Sequence, residues 1–343
     1  MTWLTWRQFR IPFAAMLAAL AALVAILALT GPGVADDYAT GLAACTKDAG
    51  DCSGFVTRFF TSYQNTFLAL VAVMLILPPL VGLFWGAPLI ARELETGTHR
   101  LVWNQSITRT RWLAVKLGLV GLAAMTAAAL GSLAVTWWSS TIDQAAVQNF
   151  PRLGSMVFDA RGLVPVGYAA FAFALGVTVG MLMRRALVAM AITLVVFATV
   201  QVAMPMLVRP YLLPPTRVTL ELSPSIMDGL SRPQGGEGRI RLQTKAPDPG
   251  GWLLSSQTLD ASGKPVDDVA VSIDSPACAG SGSPQDIFAR CVGEINRLGY
   301  RQQMTYHAPS RFWPFQWIET GIYLAISCGL AGFCFWWLRR RVI

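Results

Sequence analysis

The sequence predicts an all-α polytopic membrane protein. Six transmembrane helices are expected, with a small α+β extracytoplasmic domain between the fifth and sixth. Three observations carry this. Of 343 residues, 54% are hydrophobic and only 13% charged, against roughly 25% charged in an average soluble domain. Six apolar runs are each long enough to cross a bilayer, which takes about 20 residues. Between the last two runs lies a long polar stretch with strand-like alternation. A soluble globular enzyme, a disordered tail and a collagen-like chain are excluded. The net charge of +8 fits nucleic acid or membrane. The apolar runs decide for membrane, with lipid and not nucleic acid as the partner.

The elements follow in order. Residues 1–11 carry Trp3, Trp6, Phe9, Arg7 and Arg10, which suit a cytoplasmic interfacial helix. The first span is expected over Pro12–Thr30. A cleaved signal peptide is its rival, since Gly33 and Ala35 resemble a cleavage site. The apolar run is longer than the usual 7–15 residues or so, so it is read as a span. The second span, Phe67–Ile90, holds Pro78, Pro79 and Pro88, which should bend it. It also holds Gly82-x-x-x-Gly86. The inside segment 91–112 links it to the third span, Leu113–Trp138. Lys116 at the inner end of that span is expected to reach lipid phosphates. The fourth span, Leu163–Met183, carries Gly176-x-x-x-Gly180, extended by Ala172. Such small-residue patterns pack helices within one chain or between two. The fifth span is expected over Ala186–Val208. The domains are 12–208 for the first five spans, 209–312 for the extracytoplasmic part, 313–338 for the sixth span and 339–343 for the tail.

Orientation follows from the Lys/Arg bias. Placed inside, segments 1–11, 91–112, 184–185 and 339–343, with Lys116, hold twelve basic residues against two acids. The short loops 31–66 and 139–162 hold four basic and six acidic residues. Both termini are therefore expected in the cytoplasm, with the chain in the plasma membrane.

Six cysteines are present. Cys328 and Cys334 lie in the sixth span. The other four lie in outside loops, where disulfides form. Cys45–Cys52 and Cys278–Cys291 are the simplest of three connectivities. In the long loop, Val218, Leu220 and Leu222 alternate with polar residues, as do Ile240 and Leu242, and Val269, Val271 and Ile273. Asp260–Gly263 reads as a turn. Ser283, Pro284 and Asp286 open a helix that Gly299 stops.

Catalytic patterns are missing. The nearest piece to a phosphate-binding loop, Ser262-Gly263-Lys264-Pro265, lacks its first Gly and its hydroxyl. The chain is read as having no ATPase site, no catalytic residue, no metal and no cofactor of its own. Glu319, about one turn into the sixth span, is flagged as an intramembrane charge. It either snorkels, pairs with an outer Arg such as Arg311, or serves a substrate. No charge falls near a span centre, which argues against a proton- or sodium-driven transporter.

The inside segment reads ARELETGTHRLVWNQSITRTRW, followed by LAVK. Glu93, Glu95, Gly97 and Thr98 precede the apolar Leu101 and Val102. Then come Ser106, Thr108, Arg109 and Arg111, leading to Lys116. This pattern resembles the first inside loop of the type-2 permease subunits of bacterial ATP-binding-cassette exporters. It departs at Trp103-Asn104-Gln105, where Leu runs and a Pro are usual. The tail FWPFQWIETGIYLAISCGLAGFCFWWLRRR is similar to a subgroup common in GC-rich Gram-positive bacteria. The resemblance implies two permease chains, expected as a homodimer, with two ATPase chains that bind ATP and magnesium. Segment 91–112 would hold the coupling helix, with Glu93, Glu95, Gly97, Thr98, Arg100 and Arg109 facing the ATPase. The second and fifth spans would line a path for an amphipathic drug, lipid or peptide, through Phe84, Trp85, Phe197, Gln201 and Glu319. The alternative is a membrane-anchored receptor or assembly factor acting through its extracytoplasmic domain.

Overall fold

The computed structural model describes residues 2–47, 52–97, 108–146, 151–231, 239–272 and 274–340. Among the described residues, six helices are long and apolar enough to cross a membrane. The chain divides into two compact units. The helical unit comprises Met1–Ala146, Gly154–Leu212 and Trp313–Ile343. The sheet unit comprises Val147–Leu153 and Leu213–Phe312.

The first helix corrects the expected boundaries. It runs unbroken over Thr2–Lys47, 46 residues, with Pro12 and Pro32 inside it. No separate interfacial helix ends at residue 11. At about 1.5 Å per residue the helix is roughly 69 Å long, more than twice the ~30 Å hydrocarbon core. The second helix, Ser53–Glu95, likewise starts well before Phe67. The described parts of the segment read as the 31–66 loop, up to Lys47 and from Ser53, are thus helical extensions. They are joined near their tips by Cys45–Cys52, with Cα atoms 5.8 Å apart. Between them, the Phe59 ring lies 5.1 Å from Tyr38 and 5.0 Å from Tyr63. The Tyr63 hydroxyl donates to Asp37 at 2.6 Å. Asp36, Asp37 and Lys47 lie on the first helix and not in a loop, where aromatic packing and the disulfide hold the two extensions together.

Pro78 and Pro79 do not break the second helix. They withhold two N–H donors, and the ladder relaxes into a π turn at Gly82–Gly86 before resuming. The third helix, Arg109–Ala146, begins after Thr108, whose hydroxyl accepts from the Arg111 N–H at 3.4 Å. The short helix Ser155–Asp159 then leads to the fourth, Val164–Met183.

The fourth helix is central. Its apolar window is 83% buried, against 11–39% in the other five. It is apolar all round, as a core helix should be. Its glycines explain how the second helix comes so close. A Cβ on Gly86 would lie 2.7 Å from the Phe173 carbonyl oxygen, and one on Gly82 would lie 2.8 Å from that of Ala172. On the facing side, a Cβ on Gly176 would overlap the Gly82 carbonyl, and one on Gly180 that of Ala87. Both small-residue patterns therefore pack two helices of one chain. Arg184 ends the fourth helix with φ of 54°, and the fifth starts at Ala186. The fifth runs to Tyr211 through a π turn at Met204–Val208 and a 3-10 turn at Arg209–Tyr211. The sixth helix is Phe312–Arg340.

The sheet unit has a four-stranded antiparallel sheet in the order β1-β6-β4-β5 and a separate β2-β3 pair. The strands are β1 Thr216–Glu221, β2 Met227–Ser231, β3 Arg241–Thr244, β4 Trp252–Leu259, β5 Pro265–Val266 and β6 Arg301–His307. The Asp260–Gly263 turn joins β4 to β5, with Gly263 at φ of 81°. The helix Pro284–Arg297 starts where expected, the Ser283 hydroxyl accepting from the Asp286 N–H at 3.2 Å. Its apolar face meets Leu222, Ile226, Ile240 and Met304. Cys278 and Cys291 are bonded, with Cα atoms 4.5 Å apart. The expected 269–273 strand is reduced to one bridge, Ile240 to Val269, and residue 273 lies outside the described residues. The domain boundary also moves. Arg209 closes the fifth helix, whereas Arg152 and Leu153, from the loop after the third helix, belong to the sheet unit.

Candidate functional site

Among the described residues, two polar constellations stand out in the helical unit. The first fastens the ends of the second, third and fifth helices. Glu93, near the end of the second helix, pairs with Lys116 of the third. Lys116 is 3% exposed and lies over the Trp112 ring at 4.9 Å. It does not reach lipid phosphates, because Glu93 neutralises it inside the bundle. Glu95 is exposed, and its Oε2 accepts the backbone N–H of Ala186 at 3.1 Å. That amide is a free donor at the start of the fifth helix, a natural carboxylate position. Gly97 follows with φ of 72°, where a side chain would be strained. Arg109 is exposed on the first turn of the third helix. Thr98 and Arg100 lie outside the described residues.

The second constellation is buried. Asp159 comes from the short helix, Tyr168 from the fourth, Gln201 and Arg209 from the fifth, and Glu319 from the sixth. Arg209 Nε donates to Glu319 Oε2 at 2.8 Å, and Nη2 donates to Oε1 at 2.9 Å. Nη2 also donates to Asp159, and the guanidinium stacks over Phe158 at 4.2 Å. The Tyr168 hydroxyl is 2.7 Å from Glu319 Oε1 and 3.0 Å from Asp159 Oδ1. Gln201 donates to Asp159 Oδ2 at 3.3 Å. Burial pushes the Asp159 carboxyl up to about 6, against the pull of Arg209. Gln316 clamps the same turn. Its Oε1 accepts the N–H groups of Leu163 and Val164, both at 2.8 Å, and its Nε2 donates to the Phe158 carbonyl at 3.2 Å. A second ion pair stands beside it, Arg161 donating both Nη atoms to Asp143 at 2.7 and 2.6 Å.

Glu319 therefore pairs with Arg209 and not with Arg311, which donates to the Pro214 carbonyl. The five expected path residues are not brought together. Phe84 is 58% exposed, whereas Trp85 is 4% exposed, because consecutive helical positions point different ways. Trp85 meets Phe9 edge-on at 4.7 Å. Phe197 is buried, stacked on Phe171 at 6.1 Å. Gln201 and Glu319 belong to the charged cluster. Phe84 and Trp85 instead line an open cavity of about 370 Å³ with Phe9, Pro88, Arg92, Glu93 and Thr96. An apolar groove of about 330 Å³ lies between the first and third helices and shares Phe9 and Trp85 with it.

Sequence reasoning missed Asp159, Tyr168, Arg209 and Gln316. The available signal was Arg209, one residue beyond an apolar run and able to reach back to Glu319.

Six apolar helices with their charges held at helix ends define a multi-pass membrane protein. The family described as ABC-2 membrane transporter related matches residues 17–209. That is over half of the chain, and the chain belongs to this family. The match runs from within the first membrane helix to Arg209, near the end of the fifth. Membership implies an ATP-binding-cassette permease working with an ATPase. No curated protein and no solved structure is similar to the chain.

Proposed function

We propose that the chain is the membrane-spanning permease subunit of an exporter. It moves an amphipathic or hydrophobic substrate out of the cytoplasm, using ATP hydrolysed with magnesium on a separate subunit. The chain itself is not an enzyme and carries no cofactor. Two copies form the pathway, both termini face the cytoplasm, and the sheet unit lies outside. The observation that carries this reading is the fastening of Glu93 and Glu95, at the start of segment 91–112, to two other helices. A push on that segment is delivered to the third helix through Glu93 and Lys116. It is delivered to the fifth through Glu95 and the Ala186 amide. Bound ATP biases such a bundle only by favouring one of its arrangements over the other. The paired cavity and groove, polar at one end and apolar at the other, suit an amphipathic cargo.

The test is Glu95→Ala in the reconstituted complex. Substrate-stimulated ATP hydrolysis is expected to disappear while membrane insertion and basal hydrolysis persist. Stimulated hydrolysis at the original rate would remove the coupling assignment. The receptor or assembly-factor reading draws on the separate core of the sheet unit. It requires a chain that acts without an ATPase.

A further inference from the structure

Charge and donor counting in the buried cluster leaves one proton to be placed. Asp159 and Glu319 bring two carboxylates to one guanidinium, and all three side chains are buried. With both acids ionised the cluster is net negative, which burial makes costly. Glu319 takes two parallel bonds from Arg209, the arrangement that best holds a carboxylate ionised. The Tyr168 hydroxyl sits within hydrogen-bond distance of both acids. A phenol has a single O–H to give. If it donates to Glu319, its contact with Asp159 sets lone pair against lone pair unless Asp159 carries a proton.

We infer that Asp159, Tyr168 and Glu319 form a binding site for one exchangeable proton. In the loaded state the Asp159 O–H donates to the Tyr168 oxygen, and the Tyr168 O–H donates to Glu319. Glu319 stays ionised against Arg209, and the cluster is neutral. The proton is taken from water and returned to it.

Every packed element contributes to this environment. Tyr168 comes from the fourth helix, Gln201 and Arg209 from the fifth, and Glu319 and Tyr323 from the sixth. The Tyr323 ring lies 4.8 Å from that of Tyr168. The second helix brings Phe67 to 5.8 Å from the Arg161 guanidinium. That guanidinium is engaged by Asp143. Among the described residues, Arg209 Nη1, Gln201 Oε1 and Tyr323 Oη of this cluster are buried without a hydrogen-bond partner. Three such atoms around one cluster call for water, and water is what delivers a proton. Loading ties the Ser155–Asp159 helix to the fifth and sixth helices. Release leaves an uncompensated buried charge that favours their separation. None of this depends on the permease reading.

The test is infrared difference spectroscopy on the purified full chain, between about pH 5 and about pH 8, a range that brackets a raised carboxyl. A protonated-carboxyl C=O band equivalent to one group per chain is expected to vanish as pH rises. It should be missing in Asp159→Asn and present in Asp36→Asn. The amide of Asp159→Asn imitates the loaded acid. That variant should therefore match or exceed the parent's thermal midpoint at the higher pH. Tyr168→Phe should move the pH at which the band is lost. A pH difference unchanged by Asp159→Asn would overturn the site. So would an Asp159→Asn variant less stable than the parent at every pH, which would make Asp159 a permanently ionised partner of Arg209. A band midpoint unmoved in Tyr168→Phe would remove Tyr168 from it.

Discussion

Replacing Gly176 by Ala tests the packing of the second helix against the fourth. In an ordinary helix the change is favourable by up to about 1 kcal/mol, since Ala loses less backbone entropy. At Gly176 the added carbon overlaps the Gly82 carbonyl oxygen and lies 2.8 Å from the Ala87 amide nitrogen. Both obstacles are backbone, so no rotamer change clears them and the helices must part. Overpacking of this kind costs about 1–3 kcal/mol. With two backbone atoms in the way, the upper half of that range is expected. At about 2–4 °C per kcal/mol, the thermal midpoint in detergent should fall by several degrees. Gly329 in the sixth helix is the control, because a Cβ there meets nothing within 4 Å. Gly329→Ala should be neutral or mildly stabilising. A Gly176→Ala chain that unfolds with the parent would refute the close-approach argument.

Other outcomes follow from the same structure. Arg209→Met takes the one paired cation from both Asp159 and Glu319 and strands Glu319 as a buried unpaired charge. It should cost about 3–5 kcal/mol, and the Arg209→Met/Glu319→Met double variant should recover much of it in thermal unfolding. Thiol counting on the denatured, unreduced chain should find Cys328 and Cys334 alone, with all six reacting after reduction; in the folded chain only the exposed Cys328 should label. In the sheet unit, the Ser262 hydroxyl and the Lys264 N–H hold the Asp260 carboxyl below the usual range. The turn's contribution is then present above the unfolded-state pKa and lost as pH falls through the folded one. Asp260→Asn should flatten the acid limb of stability, and an unchanged limb would remove that role.

The helix count was legible because lipid imposes its own grammar: about 20 apolar residues for each crossing. Helix ends were less legible. Nothing in composition distinguishes a polar loop from a helix that continues beyond its apolar run, so the helical residues from Tyr38 to Lys47 and from Ser53 to Tyr63 were read as loop. In the sheet unit, β1, the Asp260 turn and the Ser283 cap were readable because alternation and turn chemistry are local. Strand β6 was not, since its buried side chains include the polar Gln302 and His307; Gln302 is buried with partners from β4, accepting from the Thr258 hydroxyl and donating to that of Ser256. The charged cluster was the least legible. Asp159 lies 50 residues before Arg209 and Glu319 lies 110 after it, and only the packed bundle brings them together. Lys116 followed the same rule. Read alone it points to lipid; beside Glu93 it is an internal ion pair.

Purification of the tagged chain in mild detergent from its native host tests the central claim most directly. The copurifying proteins would be identified and ATP hydrolysis by the complex measured. The account predicts an ATPase subunit in one-to-one ratio with the chain, and hydrolysis that rises with an amphipathic substrate. A chain that emerges alone from several detergents, with no associated hydrolysis, would contradict it.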